Sequence, residues 1–551
     1  MRFRSFALVA LSGAALVLVN APAGAAQAAP TLPLRDSALT TAGSVRPLTP
    51  SDPVIPGPKI VRPKTASCTV TLGTNIPFDN FTPYVGSYAP PPSCAGPWSK
   101  VVLDFNVSVM GIQYDRLGAI WIGGTEIFHF TTSEPPGPQI SWHVEKDVTE
   151  YTPTLSTAQP FTISLGNLVN QQYTGVYYVT ATLTFYATGP HWPAAVTPDA
   201  VLPISEPSGS PPWFTLNTPS NTAQATLSLP TNIEDAQLEV YTTGHGCDEF
   251  WYAQESTAYE QSIGQTCGGT AYREVDVYVD SMLAGVIIPY PYVYTGGIDP
   301  SLWLPITGHD TLGIPPYLVD LGPFVGILTD GQPHTIAISV DNNFGYWVAD
   351  ADLLLTEDHG SATTSGKLTA LSSGPKTVER YNESRLNSAG GSAEYRAEHH
   401  VSAAGYVDTS HGRINTSVDQ TWSFADHQRF TNAAGYYFYI ANTAGTTVKR
   451  VANHGKTETI TTALNYPFAI RSPQTGGLTI DQAWYQTVSD AGGRHPLLST
   501  AQAQIHAKAG GGSTTTTEHY DLTDTNGYCY DQLLSATDRV LQTNKVKACR
   551  H

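Results

Sequence analysis

The chain is poor in charge and in methionine. Of its 551 residues only 13 % are Asp, Glu, Lys or Arg, and Met occurs 3 times. Basic residues are the scarcer sign, 28 against 46 acidic ones, for a formal net charge of −18. So acidic a chain lacks the field that draws a polyanion, which excludes nucleic acid as a partner held by general electrostatics. No C-x-x-C or H-E-x-x-H spacing occurs, so no zinc site is expected, and no other metal or cofactor is implied. G-x-S-x-G and the phosphate-binding glycine loop are both missing, which removes the serine-hydrolase elbow and the P-loop. Beyond the N-terminus no run approaches the roughly 20 apolar residues of a spanning helix. Long amphipathic helices are missing as well. The segment Cys529 to Lys545 is the one exception, where a helix of that length fits the pattern.

What is plentiful points to strands and turns. Gly (48), Pro (41) and Tyr (29) abound. Aromatic and β-branched residues fit a pleated surface, and Gly and Pro fit the turns between strands. Arg273-Glu274-Val275-Asp276-Val277-Tyr278-Val279 alternates cleanly, as does the second half of Tyr177 to Tyr186. The prediction is an all-β protein: two adjacent antiparallel jelly-roll or sandwich domains, at 67–200 and 201–357, then a β-rich domain at 358–551. Residues 30–66, rich in Pro, Ser and Thr, read as an extended leader. Residues 1–29 read as a signal peptide, with basic Arg2 and Arg4, an apolar Phe6 to Val19 and small residues at Ala23-Gly24-Ala25. A secreted protein is therefore expected, a monomer, with no membrane partner once the signal is cut. Six cysteines fall in three close pairs: Cys68 and Cys94, Cys247 and Cys267, Cys529 and Cys549. Disulfides suit a secreted chain. Many connectivities are open, and nearest-neighbour pairing is the simplest.

Two short stretches concentrate chemistry. In Gln113-Tyr114-Asp115-Arg116-Leu117 an acid and a base sit just before an apolar strand, where a loop projects groups from a rigid scaffold. Arg116 is expected to lower the pKa of Asp115 and keep it ionised. On pattern alone a surface ion pair in a turn is the commoner reading. In Gly244-His245-Gly246-Cys247-Asp248-Glu249-Phe250-Trp251-Tyr252 two carboxylates and three aromatics crowd around a cysteine. Aromatic faces stack on the apolar faces of sugar rings, and a carboxylate against them has its pKa raised. The plain alternative is a cross-linked hairpin with packed aromatics. Trp303 follows a Gly-Gly turn and is a further candidate for a cleft wall. The charges of Trp142-His143-Val144-Glu145-Lys146-Asp147 read as a solvated strand face.

Longer stretches carry a resemblance. Val101 to Phe105, Gln113 to Phe128, Lys146 to Thr149, Arg273 to Gly285, Tyr294 to Gly308 and Tyr528 to Tyr530 resemble the type A family of peptide-N4-(N-acetyl-β-glucosaminyl)asparagine amidases. The likeness runs over most of the chain from residue 68 onward. A fainter similarity is to the bacterial type F amidase, built from two jelly rolls side by side. That enzyme has an aromatic-Asp-Arg before a strand, similar to Tyr114-Asp115-Arg116, and a Gly-Cys-x-Glu similar to Gly246-Cys247-Asp248-Glu249. The resemblance implies that Asp115 and Glu249 are catalytic, with Arg116, Asp248, Trp251, His245 and Trp303 as substrate contacts. N-glycosylated peptides or glycoproteins are the implied substrate. There are departures. The third glutamate of type F has no counterpart in Ser164-Leu165-Gly166-Asn167, its Arg-x-x-Trp becomes Pro300-x-x-Trp303, and the cysteines after Cys247 differ. The expected reaction is hydrolysis of the amide joining Asn to the innermost N-acetylglucosamine. An endo-acting glycosidase, also run on paired carboxylates, and a non-catalytic carbohydrate-binding module are the alternatives.

Overall fold

The computed structural model describes residues 50–262, 266–381, 387, 389–431, 436–472, 477–493 and 497–548. The expected signal peptide (1–29), residues 30–49 of the expected leader and Cys549 lie outside them. The described chain is all-β. Its helices are short turns such as Thr257–Ser262 and Val325–Leu328.

The first unit is a sandwich of two four-stranded antiparallel sheets. One runs Ser67–Phe78, Val176–Ala187, Trp98–Ile112, Pro136–Asp147 in spatial order, and the other Tyr84–Tyr88, Gln159–Leu165, Leu117–Ile122, Thr125–Thr131. Alternation explains the pairing. Val101, Leu103, Phe105, Val107 and Val109 all turn inward from one strand and meet Phe128 and Phe130 of the other sheet. The second unit pairs a sheet centred on Ile233–His245 and Tyr346–Glu357 with a four-stranded one: Ala223–Ser228, Pro333–Asp341, Glu274–Val279, Met282–Ile287. The rest is one 11-stranded antiparallel meander from Ser365–Ser373 to Val540–Ala548, whose strands Gly390–Thr409 and Gly412–Thr431 are 20 residues long. An open sheet must bury one face. Tyr395, Trp422, Phe424, Tyr439, Phe468 and Ile505 turn theirs into a core continuous with Val275, Val277 and Trp347 of the second unit.

Two expectations are corrected. Cys529 to Lys545 is no helix. It is the hairpin Cys529–Thr537 and Val540–Ala548, turning at Asp538 and Arg539, both at positive φ (49° and 65°). The period-two pairing of Leu534 and Ala536 with the core outweighs the helical pattern. Cys247 and Cys267 form a disulfide, and Cys529 is disulfide-bonded, but Cys68 and Cys94 are free. The two thiols are neighbours without a bond between the sulfurs, burial and the contact with Cys68 pushing Cys94 up to about 11. Each also has an oxygen nearby: Cys94 Sγ donates to Phe185 O at 3.7 Å and Cys68 Sγ lies 3.6 Å from Ser93 Oγ.

Residues 50–66 are tied down along all three units. Ser141 N donates to Asp52 Oδ1 (2.7 Å), Val54 N to Pro305 O (2.9 Å) and Gly57 N to Gln532 Oε1 (3.0 Å). The Arg62 guanidinium reaches Asp104 at 2.6 Å and Glu145 at 2.9 Å.

The two sandwiches lie side by side across a buried polar seam. Lys146, expected on a solvated face, is at this seam instead. Its Nζ donates to Tyr241 OH at 2.5 Å, and Tyr151 OH donates to Glu239 Oε2 at 2.6 Å. Trp121 Nε1 donates to Asp350 Oδ2 at 2.9 Å, and Trp213 Nε1 to Glu126 Oε2 at 3.2 Å. Paired polar groups fix orientation, where apolar contact alone would tolerate sliding.

Candidate active site

Where the seam opens it forms a cleft of about 140 Å³ lined by Tyr114, Asp115, Arg116, Glu134, His245, Glu249, Tyr294, Gly296 and Pro300, with Leu117 and Thr131. The first sandwich supplies Asp115, from the loop that enters strand Leu117–Ile122, and Glu134, from the turn after Thr125–Thr131. The second supplies Glu249, from the helical turn Gly246–Ala253 at the end of the long strand Ile233–His245. That turn starts at Gly246 with φ +63°, a conformation open to glycine at little cost.

The loops around the acids are tied to one another. Glu134 N donates to Thr295 Oγ1 at 3.0 Å, and Thr295 Oγ1 donates to Thr132 O at 2.9 Å. These bonds fasten the loop carrying Tyr294 and Gly296 to the first sandwich. Trp303 is fully buried below the loop, and its Nε1 donates to Gly297 O at 2.6 Å. Trp303 therefore props the cleft wall from behind and does not line it. Asp248 is also away from the cleft. It is fully buried and receives Arg273 Nε (3.0 Å) and Nη2 (2.7 Å), Trp347 Nε1 (2.7 Å) and Phe344 N (3.0 Å). With four donors its carboxylate is an anchor for the turn that aims Glu249. Trp251 is buried against Trp347 and Tyr252 and reaches a smaller cavity behind Glu249. His245 is at the cleft, stacked on Tyr346 with ring centroids 5.3 Å apart, and its Nε2 lies 2.9 Å from Thr243 Oγ1.

The electrostatics differ from the expectation for Asp115. Its pKa is raised, because burial outweighs the backbone N–H of Gly296 and the charge of Arg116. Arg116 does not clamp it. The guanidinium donates to Gln113 Oε1 (2.6 Å) and Asn167 Oδ1 (3.2 Å) and rests over the Tyr114 ring. Burial and the charge of Asp115 push Glu249 up to about 8. Burial and Asp115 push Glu134 up to about 9 against a backbone hydrogen bond from Asp115 and the charge of Arg539. Burial raises all three carboxyl groups, and the charge of Asp115 adds to the rise of Glu249 and Glu134, so they are not all ionised near neutrality and the cleft carries a base and an acid together. His245 is pushed down to about 3 by burial and is neutral.

Glu134 escapes sequence reasoning. It stands alone between a buried strand and Pro135-Pro136, in none of the acidic clusters, and its backbone hydrogen bond to Thr295 ties it to the loop of the cleft wall. Among the described residues, two His and carboxylate groupings have metal-ligand spacing, Asp104–His143–Glu145 and Glu234–Asp358–His411. Neither adjoins the cleft, and the Arg62 guanidinium already occupies the first.

Fold and site together define an all-β protein with a three-carboxylate cleft between two sandwiches. The chain belongs to the family described as peptide N-acetyl-beta-D-glucosaminyl asparaginase amidase A, whose model matches residues 58–373. Peptide-N4-(N-acetyl-beta-glucosaminyl)asparagine amidase A of Prunus dulcis is 34% identical over 365 residues, 62% of this chain and 63% of that one. This chain thus matches somewhat under two thirds of that relative's length. Among solved structures, PNGase F, a glycosylasparaginase from Flavobacterium meningosepticum, covers 53% of this chain and 96% of its own at 12% identity and a TM-score of 0.36. PNGF-II covers 53% of this chain and 66% of its own at 16% identity and a TM-score of 0.38.

Proposed function

We propose that the protein is a secreted hydrolase that cleaves the amide between Asn and the innermost N-acetylglucosamine of N-linked glycans, giving Asp and a glycosylamine. The observation that carries this reading is the meeting of Asp115 and Glu249, from two different sandwiches, in one cleft with Glu134. Family membership supports it, as does the activity named for the Prunus dulcis relative. The chain is read as units 67–200, 201–357 and 358–551, the first two sharing the reaction.

Amide hydrolysis needs an activated water, a stabilised tetrahedral oxyanion and a proton for the leaving nitrogen. Asp115 stands beside the scissile bond as the principal carboxylate. Glu249 positions the water and accepts its proton as the water oxygen bonds to the Asn side-chain carbon. Glu134, with the pKa pushed up to about 9, holds the proton that passes to nitrogen as the C–N bond breaks. A neutral His245 on the cleft wall offers a hydrogen bond without adding charge.

The test is to incubate the purified chain with one defined N-glycopeptide and weigh both products. Asp at the former Asn, with an intact glycan released, is the expected result. A peptide retaining one N-acetylglucosamine would point to an endoglycosidase, and an unchanged peptide to a binding module.

A further inference from the structure

The turn of the last hairpin, the turn that replaces the expected helix, brings a cation near the cleft, outside the residues that line it. Asp538 and Arg539 form a two-residue loop between Thr537 and Val540, both at positive φ. Such a loop favours Asn-Gly, so an arginine with φ 65° is held there at a cost. The surroundings hold it firmly. Ser51 N donates to Arg539 O at 3.0 Å and Leu541 N to Ser51 Oγ at 3.0 Å. Asp538 Oδ1 accepts from Ser513 Oγ and Thr514 N, both at 2.8 Å. The same edge of the large sheet abuts the cleft wall. Thr516 Oγ1 donates to Leu302 O at 2.6 Å, within the turn that begins at cleft-lining Pro300, and Leu534, Ala536, Ile306 and Val54 pack together.

Arg539 lies close enough to Glu134 for its charge to lower the pKa of that carboxyl. Burial and the charges of Asp115 and Glu249 raise Glu134, and the backbone N–H of Asp115 and the charge of Arg539 oppose them. Arg116 lines the cleft as well, with Gln113 and Asn167 each engaging part of its guanidinium. The Arg539 guanidinium has no ion pair or hydrogen bond among the described residues, and it lies outside the stretch matched by the family model. An unpaired planar fork of donors beside a carboxylate cleft suits an oxygen-rich ligand.

We propose that Arg539, delivered by the C-terminal sheet, is a substrate-positioning residue of the cleft that donates to the oxygens of the first N-acetylglucosamine or of the peptide beside it. The C-terminal sheet thereby completes the site as well as stabilising the fold. This rests on the amidase reading above.

The test uses the full chain and a defined N-glycopeptide. Arg539→Gln is expected to raise KM about tenfold with kcat changed less than about threefold, since a ground-state contact is lost. It also removes the charge that opposes proton uptake by Glu134, so the alkaline limb of the kcat profile moves to higher pH. Arg539→Lys restores the limb and part of the KM, and Tm stays at the wild-type value in both. An unchanged KM and limb in Arg539→Gln overturn the proposal. So does a loss of activity that tracks a fall in Tm and is not recovered by Arg539→Lys, which makes Arg539 structural only. Wild type and Asp115→Asn run alongside. If wild type releases no glycan the amidase reading fails first, whereas normal release with an indifferent Arg539→Gln sinks the Arg539 inference alone.

Discussion

The carboxylates of Asp115 and Glu134 crowd the same face of Gly296. A Cβ built on that glycine lies 2.6 Å from Asp115 Oδ1 and 2.8 Å from Glu134 Oε1. The absent side chain makes room for two acids from two different loops, and the Gly296 N–H is one of the groups that lower the pKa of Asp115. Gly296→Ala must displace the loop or both carboxylates. A shift of about 1 Å at reacting groups costs on the order of a hundredfold, so kcat is expected to fall by about that factor while Tm moves little. Steady-state kinetics and a melting curve on the same preparation check this.

The three acids differ in their expected weight. Asp115→Asn keeps shape and removes charge, and kcat/KM is expected to fall by at least about a thousandfold, or about 4 kcal/mol of barrier. Glu249→Gln follows closely. Glu134→Gln loses about ten- to a hundredfold and flattens the alkaline limb, because the acid then missing is the one pushed up to about 9. An Asp115→Asn variant within tenfold of wild type means that the principal carboxylate is elsewhere.

Asp248 and Arg273 are a fully buried pair 2.7 Å apart, and their variants fail by unfolding before they fail by chemistry. Asp248→Asn leaves a buried guanidinium without its counter-charge, at a cost of about 3–5 kcal/mol. Chemical denaturation shows the loss, and residual kcat per folded molecule stays closer to wild type than in Asp115→Asn.

Opening the Cys247–Cys267 disulfide releases the turn that aims Glu249. The bridge closes a loop over a sequence separation of 20. Its loss as a double serine variant costs about 3 kcal/mol. Cys68→Ser, at a free thiol, is expected to change stability by less than about 0.5 kcal/mol.

Stability is expected to fall as pH rises from about 5 to about 9. Burial raises Asp426 and Glu150 to about 7, Glu249 to about 8 and Glu134 to about 9. A raised folded-state pKa means that the native chain binds more protons than the unfolded one between the two pKa values. Its contribution is complete below the unfolded pKa and is lost as pH climbs through the folded pKa. Asp426→Asn, at the buried face of the large sheet, should remove part of this slope below about pH 7. Melting curves across that range read the slope directly.

Much of this was legible in the sequence because it is local. Strand alternation follows from one residue and the next, so Val101 to Val109 or Arg273 to Val279 announce themselves. Asp115 and Glu249 sit in short distinctive settings. What stayed hidden depends on contacts between distant segments. Glu134 gains meaning only through Thr295, and Arg539 only through a turn packed on the wall that carries Pro300. Asp248 and Trp303 look like cleft residues by neighbourhood, but one meets Arg273 and the other Gly297, each behind the wall. Arg116 next to Asp115 in sequence implied a paired, ionised acid. Adjacent side chains point to different surroundings, and desolvation wins.

The central claim is that a water, activated among Asp115, Glu249 and Glu134, attacks the Asn side-chain carbon. Reaction in heavy-oxygen water, with mass analysis of peptide and sugar, locates the oxygen. The claim predicts label in the new Asp carboxylate for wild type and no labelled product for Asp115→Asn. Label at the sugar's anomeric position, with N-acetylglucosamine left on the peptide, would contradict it.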